Sequence, residues 1–166
     1  MLTPGRKGGI AETAFVAEAT RLGFDVYRPV IEGGRYDLVM DVGTRLLRVQ
    51  VKWARKVKAV VSVNLQTFRR TKDAYVRTSY SAAEVDAIGV YCDPLQRCYL
   101  LPISLVDGRR AIHLRLQPSQ NNQRALVNWA RDYELGAIAQ LGERVTGSHE
   151  VGGSNPPSST SVTPLV

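Results

Sequence analysis

The sequence predicts an α/β fold in which one amphipathic helix precedes a series of β-strands. Apolar residues recur at helical spacing over residues 9–22, and Gly23 ends the pattern. Residues 36–41 and 45–53 instead alternate apolar and polar side chains, as half-buried strands do. Residues 41–44 between them have the length and the glycine of a hairpin turn. The two patterns together predict a helix packed on an antiparallel pair.

Other segments extend the predicted sheet. Residues 67–81 are polar and basic, and we expect a loop or an irregular helix there. Short apolar or alternating runs predict further strands at residues 24–30, 59–65, 87–92, 97–103 and 113–116, of which 87–92 and 97–103 form a second hairpin.

Three polar side chains stand out on the first hairpin. Asp37 lies near the start of its first strand, and Gln50 and Lys52 lie near the end of the second. Residues two apart in a strand point to the same face, so Gln50 and Lys52 share a face. Antiparallel pairing brings the start of one strand beside the end of the other. We therefore expect all three side chains to lie together.

This set of side chains suits a divalent-metal phosphodiesterase site. Mg²⁺ prefers hard oxygen ligands, which Asp37, the Gln50 amide and the Val51 carbonyl can supply. Lys52 can orient a hydroxide or offset negative charge in the transition state. Few of these ligands are charged, which predicts weak metal binding assisted by substrate. Glu12, on the upstream helix, can restore the missing charge.

Each candidate also has a simpler interpretation. Glu12 can be a first-turn acid that favours the helix dipole. Asp37 and Lys52 can form a surface ion pair of a small globular protein, although such a pair would contribute little stability.

Three segments carry a resemblance to a known family. Residues 7–15, residues 26–29 with 36–39, and residues 48–52 resemble, in this order, the PD-(D/E)xK nuclease superfamily. They are most similar to the branch of group I intron-encoded homing endonucleases, in which a Gln replaces the second acid. Tyr36 stands where the superfamily has its proline. The resemblance extends over roughly residues 5–104.

The resemblance implies a fold and an activity. The expected fold is a restriction endonuclease-like core of the αβββαβ type, with a mixed β-sheet flanked by helices. The expected activity is Mg²⁺-dependent hydrolysis of DNA, with Asp37, Gln50, Lys52 and Glu12 as catalytic residues. The metal ligands would be Asp37, Gln50, Val51 and Glu12.

The charge of the chain favours a nucleic-acid partner. The net charge is +7, and residues 1–133 hold 21 Lys and Arg against 12 Asp and Glu. A solvated basic surface is the alternative, but a polyanion is favoured beside a phosphodiesterase site. Tyr75 and Tyr80 can stack on bases, although surface tyrosines without such a role are equally common. The expected nucleic-acid contacts are Arg55, Lys56, Lys58, Arg69, Arg70, Lys72 and Tyr75.

Composition limits the other classes. No apolar run is long enough to cross a membrane, and no signal sequence is recognisable, so we expect a cytoplasmic protein. Cys92 and Cys98 are expected to be free thiols, because that compartment is reducing. His113 and His149 lie far from them, which argues against a zinc site.

The chain divides into a nuclease-like domain, residues 1–135, and a low-complexity tail, residues 136–166. The tail is rich in Gly, Ser and Pro, and we expect it to be disordered. Its residues 138–144 and 153–156 resemble the in-frame translation of a transfer-RNA gene. Such loci host mobile elements, which suits a homing nuclease.

Three functional hypotheses follow. The leading one is a metal-dependent DNA endonuclease of the homing type, in which two copies of the chain would cut the two strands. The second is a nucleic-acid-binding module whose site has decayed, because Gln50 stands in place of an acid. The third is a small globular protein without such an activity, in which Asp37 and Lys52 form only a surface ion pair. Within the nuclease hypothesis, a junction-resolving nuclease of the same superfamily is an alternative to the homing type.

Overall fold

The computed structural model describes residues 1–31, 33–70, 75–118 and 127–138, with the backbone alone at 67–70 and 75–78. In this part of the chain, a helix packs on a mixed sheet of seven strands, and two more strands form a separate hairpin. The helices are α1 (Pro4–Arg21) and the short α2 (Ile103–Val106). The strands are β1 (Asp25–Tyr27), β2 (Leu38–Asp41), β3 (Leu46–Val57), β4 (Val60–Asn64), β5 (Thr67–Arg70), β6 (Tyr75–Thr78), β7 (Ala87–Cys92), β8 (Arg97–Pro102) and β9 (Ala111–Arg115).

The long strand β3 is the centre of the sheet. It pairs antiparallel with β2 and β4, and parallel with β7. The edges are completed by β1 beside β2, β9 beside β4 and β8 beside β7, all antiparallel. The predicted α/β class with a mixed sheet is therefore confirmed, as are both hairpins.

Helix α1 begins five residues earlier than the apolar pattern indicates. Thr3 caps it by accepting the Arg6 backbone N–H at 3.4 Å, and Pro4 occupies its first position. Glycines in the first turns hide this start, because glycine is a poor helix former. The helix ends as expected before Gly23, whose φ of +87° is readily adopted only without a side chain.

Two apolar clusters fill the two faces of the sheet. Helix α1 buries Ala11, Phe15 and Ala19 against one face, together with Leu47, Val49 and Val51 of β3. The opposite face of β3 presents Ala54 to a second cluster, which contains buried residues of β4, β7, β8 and β9. This second cluster also contains Tyr80 and Val106.

Two local predictions are wrong. Residues 67–70 and 75–78 form β5 and β6, an antiparallel pair, and not a loop or helix. Their Thr, Phe, Tyr and Val content favours strands, and the basic residues among them obscured this. The hairpin also stands in the connection from β4 to β7, where the αβββαβ pattern places a helix. The second wrong prediction follows from the alternation over residues 36–41, which places Tyr36 on one face with Leu38 and Met40. Tyr36 instead packs against the second cluster, because it precedes the start of β2.

The cysteine prediction is confirmed. Cys92 and Cys98 are buried and free. Burial raises the pKa of the Cys98 thiol to about 12, so this sulfur stays protonated at neutral pH.

Candidate active site

The site lies where the strands flanking β3 diverge. Leu46–Val49 of β3 pair with β2, and the residues from Ala54 onward pair with β4. Between these pairings, Gln50 to Trp53 pair only with β7 among the described strands. One edge of β3 is therefore left without a strand partner over this stretch, and we call it the β3 gap.

The Asp37 carboxylate fills the β3 gap. Its backbone N–H donates to the Val49 carbonyl at 2.9 Å, which continues the β2–β3 ladder by one bond. Its Oδ2 then accepts the backbone N–H of Val51 at 2.8 Å. In a strand, the N–H and C=O of one residue point to the same edge, so the Val51 carbonyl also faces the β3 gap. A carboxylate and a backbone carbonyl thus share one opening.

Gln50 completes the pair of hydrogen bonds to Asp37. Its amide Nε2 donates to the same Oδ2 atom. The amide therefore presents its NH₂ end to the carboxylate, and its Oε1 atom remains for another partner. This arrangement places three oxygen-bearing groups, from Asp37, Gln50 and Val51, side by side.

Lys52 lies on the same side of β3 as Gln50. Its Nζ lies 4.9 Å from the centroid of the Tyr80 ring. Burial raises the pKa of Asp37, and the positive charge of Lys52 acts in the opposite direction. The structure thus brings together Asp37, Gln50, Val51 and Lys52, as the sequence indicates.

The surroundings of Asp37 disfavour the charged form of its carboxyl group. Burial raises its pKa above the ordinary value, even though hydrogen bonds from Val51 and Gln50 and the charges of Lys52 and Arg28 act in the opposite direction. The charge on Asp37 is therefore incompletely compensated. A cation bound in the β3 gap would supply that compensation.

Glu12 lies on α1, between two residues that contact the sheet. Lys7, earlier on the helix, places its Nζ 5.9 Å from the centroid of the Trp53 ring. Phe15, later on the helix, lies against Gly89, which pairs with Val51. Glu12 lies between these two contacts and is half-buried. Its place as a metal ligand remains a prediction.

The site region also includes two residues that were not predicted to belong to it. Arg28 is close enough to lower the pKa of Asp37, and it belongs to a segment that carries the family resemblance. The suggestion that Tyr80 stacks on bases is wrong, because only 5% of its surface is exposed. Its ring contacts Lys52 instead. No pattern in the sequence distinguishes a buried tyrosine from an exposed one here.

The predicted nucleic-acid contacts are described only in part. Arg55, Lys56 and Lys58 are exposed at the far end of β3 and in the turn after it. Lys56 and Lys58 line an open cleft of about 630 Å³ together with Arg97. The side chains of Arg69, Arg70 and Tyr75, and the whole of Lys72, lie outside the described residues.

Two features are absent from the part of the chain that the structure describes. None of the helices there is long and apolar enough to cross a membrane. No three His, Cys, Asp or Glu side chains lie together as a metal site there.

Fold and site together define a nuclease core, a mixed sheet that opens around an acid and a lysine. A family model described as PD-(D/E)XK endonuclease matches residues 3–136. The chain therefore belongs to the PD-(D/E)XK endonuclease family, and the expected nuclease class is confirmed.

A solved structure is similar over most of its length. It is a bacterial homing endonuclease, I-Ssp6803I, with a TM-score of 0.65 and 25% sequence identity. The similarity covers 89% of this chain and 99% of that one. It supports the predicted homing branch of the superfamily. Among curated proteins, none matches the chain.

Proposed function

We propose that the protein is a metal-dependent endonuclease of the homing type that hydrolyses phosphodiester bonds of DNA. The observation that carries the proposal is the β3 gap, in which Asp37, Gln50 and Val51 present oxygen atoms beside the ammonium group of Lys52. A strand edge left without a partner and filled by a half-buried carboxylate is costly unless it serves a site.

The donor set fits a magnesium ion. Its oxygens are hard ligands, and the burial that raises the pKa of Asp37 favours a bound cation that would offset the negative charge. Asp37, Gln50 and the Val51 carbonyl would hold the ion, and Glu12 would add a second charge from α1. When bound, the ion supplies Lewis acidity toward a phosphoryl oxygen and lowers the pKa of a water.

Lys52 has a separate task. Its side chain is half-buried, and its charge acts on Asp37 across the site. An ammonium group so placed stabilises the additional negative charge on a phosphate under attack, and it can orient the attacking water. Lysine is suited to this because its three N–H donors can turn toward the reacting atoms.

DNA is the proposed substrate on two grounds. The first is the basic character of residues 1–133, which provides the salt-dependent attraction that a nucleic-acid backbone requires. The second is the similarity to a protein that is itself a homing endonuclease. Arg55, Lys56 and Lys58 are the proposed contacts whose positions are described. A cytoplasmic location is part of the proposal, since the chain carries free thiols.

A pair of chains is the proposed active form. Each chain contributes one β3 gap, and a break in both strands of a duplex requires two cleavage events. Two copies related by a twofold axis would place one site on each strand.

A nucleic-acid-binding module without turnover is the second candidate. Gln50 favours it, because an amide replaces the acid that would otherwise bind the metal. The variant Gln50→Glu distinguishes the two candidates. An active enzyme keeps part of its activity in this variant, whereas a decayed module is inactive as the natural chain and gains activity from the added charge.

The deciding experiment compares cleavage and binding in the same variants. Asp37→Ala and Lys52→Ala should lower the cleavage rate by a factor on the order of 10² or more, because they act on the transition state. Binding to the same duplex should persist in both. Arg21→Ala, at the far end of α1, is the matched control and should cleave normally. Full cleavage by Lys52→Ala would disprove the assignment.

A further inference from the structure

The ring of Tyr80 contacts two cations of the site region. The Nζ of Lys52 lies 4.9 Å from the centroid of its ring, and the Cζ of Arg35 lies 5.4 Å from it. The ring belongs to the second apolar cluster, and only 5% of the residue is exposed. Core packing therefore fixes the orientation of the ring, whatever occupies the β3 gap.

The second cation at the ring, Arg35, is also anchored. Arg35 donates to the Glu84 carboxylate at 2.5 Å and to the Ser79 carbonyl at 3.3 Å. The Ser81 hydroxyl donates to the same carboxylate at 3.3 Å. This hydrogen-bond partnership lowers the pKa of Glu84, so the acid stays charged and holds Arg35 in place. These contacts tie the chain on both sides of Tyr80 to the segment that leads into β2.

Lys52 needs such support. Lysine is a flexible chain with four rotatable bonds, and its ammonium group adopts one position only at an entropic cost. Within the described part of the chain, Lys52 forms no salt bridge. A carboxylate partner would restrain it but would also neutralise its charge and occupy its donors. An aromatic face attracts the same ammonium group through the ring quadrupole and leaves the N–H donors available.

We propose that Tyr80 is a positioning residue for Lys52. Its ring face holds the ammonium group beside the β3 gap while the charge and the N–H donors stay directed at the scissile phosphate. The proposal rests on the nuclease function proposed above. It assigns the effect to the ring and not to the hydroxyl group of Tyr80.

Substitutions at Tyr80 that distinguish the effect of its aromatic ring from that of its apolar volume test the proposal. Tyr80→Leu keeps an apolar side chain but has no ring face, and kcat should fall about 3- to 30-fold. KM and DNA affinity should stay within about twofold, because the ring contacts no substrate. Tyr80→Phe and Tyr80→Trp should restore kcat. Val106→Ala, in the same cluster, controls for lost packing: its Tm should fall while its kcat stays near that of the natural protein.

A spectroscopic readout accompanies the kinetics. In NMR spectra, an aromatic ring that faces Lys52 shifts the resonances of the Lys52 methylene protons. This shift should vanish in Tyr80→Leu and persist in Tyr80→Phe. Natural kcat in Tyr80→Leu, or an equal loss in Tyr80→Phe and Tyr80→Leu, would overturn the positioning role. Absence of cleavage by the natural protein would instead overturn the nuclease proposal, so the two failures are distinguishable.

Discussion

The contact between Phe15 and Gly89 holds helix α1, and with it Glu12, on the sheet. Gly89 pairs with Val51 at the β3 gap, and a Cβ atom at position 89 would lie 2.9 Å from Cε2 of Phe15. Carbon atoms in contact are normally separated by about 3.5–4.0 Å. The Phe15 ring is fully buried and cannot turn aside, so the substitution Gly89→Ala must push the helix away by roughly half an ångström or more.

Such overpacking costs about 1–3 kcal/mol. For a domain of this size that corresponds to a Tm lower by roughly 3–15 °C. Calorimetry measures the change, and cleavage should fall as well because Glu12 moves with the helix. Gly8→Ala is the control: no atom lies within 4 Å of its Cβ position, so it should stabilise α1 by about 0.5–1 kcal/mol. An unchanged Tm in Gly89→Ala would refute this placement of α1.

Three further predictions concern charge and the tail. Asp37→Asn should stabilise the metal-free protein: the folded-state pKa of Asp37 is raised, so its carboxylate costs stability as pH rises from about 4 through that pKa. Denaturant midpoints in EDTA should show the variant's advantage growing with pH, and an advantage largest in acid would contradict it. DNA affinity should fall on the order of a thousandfold between 50 and 200 mM salt if about six phosphates are contacted. The substitution Lys58→Gln should lower the slope of log K against log salt by about 1, whereas the control Arg21→Gln should leave the slope unchanged. Affinity independent of salt would mean that the positive charge is merely solvated. Removing residues 139–166 should leave Tm and cleavage nearly unchanged, since the segment has no sustained apolar face; a loss of several degrees would show that it packs on the domain.

The hairpin and the grouping of Asp37, Gln50 and Lys52 were accessible from the sequence. Period-two alternation fixes which side chains share a face, and a short turn with Gly43 sets the register of the two strands. Local rules suffice here, because every contact lies within one hairpin.

The β3 gap was not accessible from the sequence. It exists because β4 pairs with β3 only from Ala54 onward, whereas β2 pairing stops at Val49. Both limits depend on strand curvature and tertiary packing. The burial of Tyr80 could not be predicted for the same reason. It depends on packing with residues of β7, β8 and β9 in the second cluster.

The domain boundary also needs the tertiary structure. Ile138 is partly buried against the cluster under α1, three residues beyond the predicted end of the domain at residue 135. The apolar residues around it, at positions 135, 137, 139 and 141, form too short a run to show where the domain ends.

The central claim is that the β3 gap is the metal-binding site at which the protein hydrolyses DNA. Its most direct test is cleavage of supercoiled plasmid by the full chain, with Mg²⁺ and with EDTA, for the natural protein and for Asp37→Ala. We expect nicked and linear products only from the natural protein with Mg²⁺. Equal cleavage in EDTA, or full cleavage by Asp37→Ala, would contradict the claim.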